Sequence, residues 1–187
     1  MATTSRKVAT TRSTAPRRPS AKSTTGPDAI ALLRADHKHV SDLYEQYEHT
    51  RSLAKKKALV ASICLELSIH AQVEEEIFYP AVKAALKDKE MIPEAQVEHA
   101  TLKELIAQVK DKEPDGEMFD ARIKVMSEYT RHHVKEEQTE MFPKARKTKL
   151  DMNELGARLA ARKEELKAHP EQMDAPPVPA SPAMAAA

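Results

Sequence analysis

Two stretches of this sequence carry the same three residue types at the same spacing. Each has a histidine, a glutamate four residues later and a proline six residues after that glutamate: His70, Glu74 and Pro80, then His133, Glu137 and Pro143. Residues four apart on an α-helix lie on the same face, so each histidine and its glutamate can reach one point in space. Imidazole nitrogens and carboxylate oxygens bind divalent cations such as iron, zinc and manganese, and the repeat therefore predicts a metal site.

Two further histidines, His37 and His99, lie 62 residues apart, one in each half of the chain. A single histidine on an apolar stripe is more often a hydrogen-bonded core residue than a ligand, but four of them on four predicted helices favour a shared site. Four neutral nitrogens and two carboxylates without partners would be very costly in a core, and divalent cations would relieve that cost. The alternative of ordinary surface pairs is disfavoured by nearby apolar residues such as Ile63, Val73 and Ile77.

The second copy contains an overlapping pair with the same spacing, His132 and Glu136. Helical phase separates the two registers, because His133 falls about 20° from Met126 around the helix axis and His132 about 120° away. We therefore expect His133 and Glu137, rather than the overlapping pair, on the apolar stripe.

Three acidic residues follow one another in the first copy, at positions 74 to 76. Glu74 alone has both the inward phase and a partner in the repeat, Glu137. We therefore expect Glu75 and Glu76 to face solvent.

The apolar periodicity predicts four long helices. They should run from about residue 28 to 49, from about 53 to 87 with a kink or end at Pro80, from about 93 to 110, and from about 117 to 147. A content of only 3 glycines and no tryptophan, with abundant Ala, Leu, Glu and Lys, favours helix over sheet. Short connections place consecutive helices antiparallel. The expected fold is all-α, an up-down-up-down four-helix bundle with an extra C-terminal helix that Asp151 begins.

The two ends of the chain differ from the bundle in composition. Residues 1–27 are rich in Ser, Thr, Pro and basic residues, and residues 170–187 are rich in Pro and Ala. Neither segment can bury enough apolar surface to offset the entropy of ordering, so both tails are expected to be disordered. Between them we expect the bundle at 28–147 and an amphipathic helix at 148–169, which packs back onto the bundle; a dimer contact is its less favoured role.

Composition also limits the expected cellular location and the expected partners of the protein. Cys64 is the only cysteine and no apolar run approaches the ~20 residues that cross a bilayer, so a cytoplasmic protein without disulfides or membrane contact is expected. No P-loop or dinucleotide-binding motif occurs. The basic tail predicts at most weak, salt-sensitive contact with nucleic acid, and the chain is expected to be a monomer or a dimer.

A resemblance to the hemerythrin family, specifically its HHE cation-binding domains, rests on an ordered set within residues 28–147: His37, His70-x-x-x-Glu74, His99 and His133-x-x-x-Glu137. The resemblance implies a four-helix bundle around a non-haem centre of two iron ions joined by an oxo or hydroxo bridge, with manganese or zinc as alternative metals. It also implies that the four histidines are terminal ligands and that Glu74 and Glu137 are bridging carboxylates.

The sequence departs from the oxygen-carrying hemerythrins at one position. Those proteins have a further histidine one turn after the third ligand, where this sequence has Lys103. A protonated lysine is not a ligand, so the resemblance does not imply reversible oxygen transport. Tyr44, Glu66 and Tyr129 are predicted on the same inner faces, where each would either complete the ligand shell or pack in the core.

The functional expectation follows from the resemblance. It favours a metal-binding protein that binds or senses oxygen, nitric oxide or peroxide, or that buffers iron in stress defence. The expected partner is thus a small diatomic ligand or peroxide. An enzyme acting on peroxide or nitric oxide at the same centre is the alternative, and no catalytic residue is assigned.

Overall fold

The structure of the chain, a computed structural model, describes residues 26–86, 90–114 and 116–173. Helices are the only regular secondary structure in these ranges. Residues 1–25 and 174–187, which contain most of the two tails predicted to be disordered, lie outside the described residues. In the described part of the chain, no helix is long and apolar enough to cross a membrane.

The described helices are, in order, α1 (Ala29–His49), α2 (Leu53–Val73), α3 (Tyr79–Ala85), α4 (Met91–Val109), α5 (Glu117–Glu136), α6 (Phe142–Arg146) and α7 (Met152–Ala168). Two π-helical segments, Glu74–Phe78 and Glu137–Met141, continue α2 into α3 and α5 into α6. Both α1 and α4 pack against α2 and α5, and α7 packs against α1 and α2. The predicted all-α bundle with an extra C-terminal helix is confirmed.

Side-chain caps fix the starts of two helices at the predicted positions. Asp28 accepts a hydrogen bond from a backbone N–H in the first turn of α1 at 2.9 Å, and Asp151 accepts one from Glu154 in α7 at 3.0 Å. The start of α4 at Met91 is two residues earlier than predicted. Pro93 is tolerated there because first-turn N–H groups have no intrahelical acceptor to lose.

The two π-helical segments begin at the glutamates of the repeat. In each, a backbone N–H donates to a carbonyl five residues earlier: Tyr79 to Glu74, and Phe142 to Glu137. Pro80 and Pro143 follow directly, and a proline both lacks an N–H and clashes with the carbonyl four residues before it. The helix therefore widens ahead of each proline. The interruption predicted at Pro80 lies instead in the five residues before that position.

The buried apolar side chains form two clusters. One joins the start of α1 to the end of α2, α3, α6 and α7, and includes Leu33, Phe78 and Leu159. The other joins the rest of α1 and α2 to α4 and α5, and includes Ile63 and Met126. The histidines of the repeat lie along the helices between these clusters.

Two residues predicted on the inner faces lie at their margins. Glu66 and Tyr129 are only half-buried, whereas Leu67 and Thr130, one residue further along each helix, are buried. In a helix, steps of three and of four residues both return to roughly the same face. Here the residue four after Ile63, Leu67, occupies the inner position instead of Glu66, which is three after it. The inner-face prediction for Glu66 and Tyr129 is therefore wrong.

Helix α7 approaches α1 closely enough to require a glycine. Its leucines 155, 159 and 166 are buried, as expected for a helix that packs onto the bundle. At Gly156, a Cβ atom would contact the carbonyl oxygen of Pro27 and would lie 2.8 Å from the backbone nitrogen of Ala29. Both neighbours are backbone atoms, which cannot rotate away.

We expect Gly156→Ala to destabilise the protein by about 1–3 kcal/mol, because the added methyl group forces α7 away from α1. Urea unfolding followed by circular dichroism measures the change. Gly26→Ala is the matched control, since nothing lies within 4 Å of its Cβ position. Alanine is intrinsically the better helix former, so a Gly156→Ala protein that is as stable as wild type would show that the two backbones are not in contact.

Candidate metal centre

The six residues selected from the repeat meet between the four long helices. Each is at most 6% exposed: His37, His70, Glu74, His99, His133 and Glu137. Helices α1, α2, α4 and α5 each supply one histidine, and the two π-helical segments supply the glutamates as their first residues. The structure thus brings all six predicted side chains to one place.

Four of the side chains form one possible cation-binding group. The Nε2 atoms of His37 and His70 face each other at 2.9 Å. Glu137 Oε2 lies 3.3 Å from the His37 nitrogen, and Glu74 Oε2 lies 3.2 Å from the His70 nitrogen. Two nitrogens and two carboxylates therefore surround one point.

A second group shares Glu74 with the first. The Nε2 atoms of His99 and His133 are 3.1 Å apart, and Glu74 Oε2 is 3.5 Å from His99 Nε2. Glu137 Oε2 lies 3.7 Å from His133 Nε2. Both carboxylates thus lie between the two histidine pairs.

Two unsatisfied carboxylate oxygens indicate, independently of any resemblance, that these side chains are suited to bind cations. Glu74 Oε1 and Glu137 Oε2 are buried and accept no hydrogen bond. Buried carboxylate oxygens without donors are strongly unfavourable unless a cation binds them. The two histidine pairs supply further nitrogen ligands at the same place, so the group is suited to divalent cations.

Each histidine is held from outside by a polar side chain at Nδ1. Asp36 lies 3.4 Å from His70, Glu75 3.0 Å from His99, Glu98 2.7 Å from His133, and Gln138 3.0 Å from His37. An Nδ1–H that donates to a carboxylate leaves the Nε2 lone pair free for a cation. The three carboxylates therefore set both the orientation of their histidine rings and the tautomer that binding requires, whereas the Gln138 amide N–H donates to His37 Nδ1 and fixes only the orientation of that ring.

Two lysines neutralise these outer carboxylates. Lys103 Nζ lies 2.7 Å from Glu75, and Lys163 of α7 pairs with Asp36. Although burial opposes ionisation, these contacts and the histidines hold the pKa values of Glu75 and Asp36 below their usual range. Lys103, which stands where a further histidine would occur in oxygen carriers, thus acts on the centre through Glu75.

The expectation that Glu75 and Glu76 face solvent is wrong. Both side chains are half-buried, and Glu76 accepts a hydrogen bond from Arg162 of α7 at 2.7 Å. The wider turn of the π-helical segment changes the direction of these side chains relative to a regular helix. Glu75 therefore points toward α4 and Glu76 toward α7, where each finds a cationic partner.

Tyr79 enters the centre and was missed by the sequence analysis. Its hydroxyl lies 3.0 Å from Glu137 Oε1, 3.3 Å from Glu74 Oε2 and 3.2 Å from His99 Nε2. Tyr44, predicted on the inner face, instead bonds Thr130 Oγ1 at 3.3 Å. No hydrogen bond among the described residues joins Glu66 or Tyr129 to the six side chains.

The sequence repeat contains one indication that Tyr79 lies at the centre. Its counterpart 63 residues later is Phe142, and both rings are buried. Phe142 stacks on the His37 ring with centroids 5.8 Å apart, and Tyr79 lies 5.4 Å from the His99 ring. The two aromatic residues occupy equivalent places, but only the tyrosine adds a hydroxyl to the centre.

The two central carboxylates differ in charge. Burial and the neighbouring Glu137 charge raise the pKa of Glu74 well above its ordinary value. Burial also raises the pKa of Glu137, but the adjacent His37 and His133 imidazoles outweigh it and lower the value to about 2. Burial lowers the pKa of His70 to about 4, so this imidazole is neutral and able to bind a cation.

Comparison with known proteins decides the family. The Hemerythrin HHE cation binding domain family matches residues 28–145, which include all six central side chains. The chain belongs to this family. It is therefore a metal-binding HHE domain protein, and its α7, beyond the matched residues, is an addition that contributes Lys163 to the centre.

Two relatives of this HHE domain are informative. A hemerythrin HHE cation-binding domain-containing protein from Mycobacterium kansasii has the same fold, with a TM-score of 0.65 at 24% identity over 76% of this chain and 89% of that one. A DNA nickase from Nostoc sp. is 26% identical over 111 residues, which are 59% of this chain. The match spans only 31% of the nickase, so most of that protein has no counterpart here.

We expect anaerobic ferrous iron at a thousandfold excess over its dissociation constant to stabilise the HHE domain by about 4 kcal/mol, or roughly 10 °C in melting temperature. The cause is neutralisation of the buried carboxylates. Glu137→Gln should abolish most of the shift, and Glu104→Gln, an exposed glutamate on α4, should retain it. Scanning fluorimetry measures the shift; equal shifts in both variants would show that iron binds elsewhere.

Proposed function

We propose that the chain is a non-haem di-iron protein that binds a small ligand, namely oxygen, nitric oxide or peroxide. The supporting observation is a cavity of about 10 Å³ beside the centre, bordered by all four histidines. A space of this size accommodates about one water-sized molecule. The proposal therefore concerns diatomic ligands and peroxide rather than organic substrates.

The walls of the cavity suit a small ligand of low polarity. Besides the histidines, the cavity is bordered mainly by apolar side chains such as Val40, Leu67 and Leu102. These residues belong to the apolar cluster that joins α1 and α2 to α4 and α5, and they are buried. Apolar walls do not stabilise bulk water, so they leave the space next to the histidines accessible to a ligand of matching size.

The ligand set supports iron with open coordination positions. The two possible cation-binding groups provide four and three ligand atoms, fewer than the six that iron commonly takes. An iron pair would supply open coordination positions and electrons. The chain itself orients the imidazoles through Asp36, Glu75 and Glu98, and it holds a proton on the Tyr79 hydroxyl, which donates to Glu137.

We expect Val40→Ile to weaken the binding of nitric oxide to the anaerobic iron-loaded protein by about tenfold, because the added methylene occupies the cavity. Absorption titration measures the affinity, and metal analysis verifies that two irons remain per chain. Val60→Ile is the matched control, since Val60 is buried in the same cluster but does not border the cavity. Equal loss in both variants, or none in either, would place the ligand outside the cavity.

A second candidate function is supported by Tyr79. An enzyme that acts on peroxide needs a proton donor near the bound oxygen atoms, and the Tyr79 hydroxyl lies within 3.3 Å of both glutamates. Burial and the two carboxylates raise the pKa of this phenol well above its ordinary value, so it remains a donor. The same centre would then consume peroxide rather than only bind it.

We expect Tyr79→Phe to retain iron and to lower the rate of peroxide consumption by about a hundredfold if the protein is an enzyme, since a proton donor contributes at least that factor. Oxygen release or peroxide loss measures the rate. Tyr44→Phe, which removes a buried hydroxyl bonded to Thr130, is the control. Absence of turnover in the wild-type protein would contradict the enzyme and leave ligand binding as the function.

A further inference from the structure

The overlapping histidine and glutamate pair of the second repeat forms a separate polar cluster. His132 Nε2 lies 3.3 Å from Glu136 Oε1 and 3.6 Å from Glu98 Oε1. The side chain of His132 is 61% exposed, that of Glu136 39% and that of Glu98 11%. One imidazole and two carboxylates thus converge at the protein surface with the spacing of cation ligands.

This cluster adjoins a pocket that reaches the buried centre. The pocket has a volume of about 60 Å³, and its lining includes the central residues His133 and Glu137. Four more glutamates border it: Glu94, Glu98, Glu136 and Glu140. A concave surface with several carboxylates raises the local concentration of cations and increases their rate of association.

The buried end of the pocket reaches a side chain of the cation-binding centre. Glu137 is 1% exposed and lines the pocket, and its Oε2 atom accepts no hydrogen bond. A buried carboxylate oxygen without a donor is favourable only when a cation binds it. The pocket bordered by Glu98 and Glu136 of the outer cluster therefore ends at a residue of the buried centre.

We propose that Glu98, His132 and Glu136 bind a divalent cation, ferrous iron, and that this outer site loads the buried centre. Imidazole and carboxylate ligands are typical of iron, manganese and zinc sites, and the partial exposure of the cluster lets a hydrated ion exchange its water. The proposal rests on cation binding by the buried centre, but it does not depend on which small ligand that centre binds.

Glu98 connects the outer site to the centre. Its Oε2 atom accepts a hydrogen bond from His133 Nδ1 at 2.7 Å, while its Oε1 atom faces His132. One carboxylate therefore orients an inner histidine and contributes to the outer site. A cation that leaves the outer site through the pocket next meets His133 and Glu137.

The test compares the rate and the extent of metal uptake. We expect the double variant His132→Ala, Glu136→Gln to fill the buried centre with Co²⁺ about tenfold more slowly than wild type, but to reach the same final occupancy of that centre. Stopped-flow absorption of the full chain measures the rate. Glu98 is left unchanged because it holds His133. The matched control is His169→Ala, Glu171→Gln, an exposed pair 3.2 Å apart on another part of the chain.

Binding to the outer site is measured separately with Mn²⁺. The centre is first filled with two equivalents of Zn²⁺, which it binds more tightly than Mn²⁺. The wild type and the control should then bind one Mn²⁺ ion, measured by electron paramagnetic resonance. The double variant should bind none. Wild-type uptake rates in the double variant would overturn the loading role, and retained Mn²⁺ would overturn the site. Failure of the wild type to take up Co²⁺ would overturn both, whereas failure to bind nitric oxide contradicts only the proposed function.

Discussion

The structure depends on two carboxylates buried side by side. Glu74 and Glu137 are almost fully inaccessible, and each has an oxygen without a hydrogen-bond donor. Two adjacent buried charges would be very unfavourable, and the pKa values are shifted accordingly: burial and Glu137 raise that of Glu74, whereas the histidines lower that of Glu137. The two apolar clusters of the core then stabilise the bundle around a group that opposes folding on its own. Cation binding converts this local cost into a source of stability.

The same backbone feature positions the carboxylate in both copies of the sequence repeat. A proline six residues after each glutamate prevents a regular α-helix in the preceding turn, and the chain responds with a π-helical segment that begins at the glutamate. The wider turn allows the glutamate to remain on the face of its histidine while the next side chains turn toward neighbouring helices. Glu75 reaches His99 and Lys103 in this way. The spacing of the repeat thus determines both the inner and the outer contacts.

Much of the fold and the choice of central residues could be predicted from periodicity. Apolar spacing located the helices within a few residues, and the repeat distinguished His133 from His132, which the structure places in the core and at the surface respectively. Tyr79, Glu75 and the contact of Lys163 with Asp36 could not be predicted. The first two depend on a π-helical segment that changes the phase of an ordinary helix, and the third depends on how α7 packs across the bundle. Such contacts are set by tertiary structure rather than by local spacing.

The two histidine pairs of the centre share the same ligand types but have different neighbouring side chains. Tyr79 places a hydroxyl beside His99, whereas Phe142 places an apolar ring against His37. The outer partner of His37 is a neutral amide, and the outer partners of the other three histidines are carboxylates. A carboxylate makes an imidazole a stronger donor to a cation than an amide does. The two histidine pairs would therefore offer a cation different surroundings: one outer partner of the His37 and His70 pair is an amide, whereas both outer partners of the His99 and His133 pair are carboxylates and a phenol lies beside it.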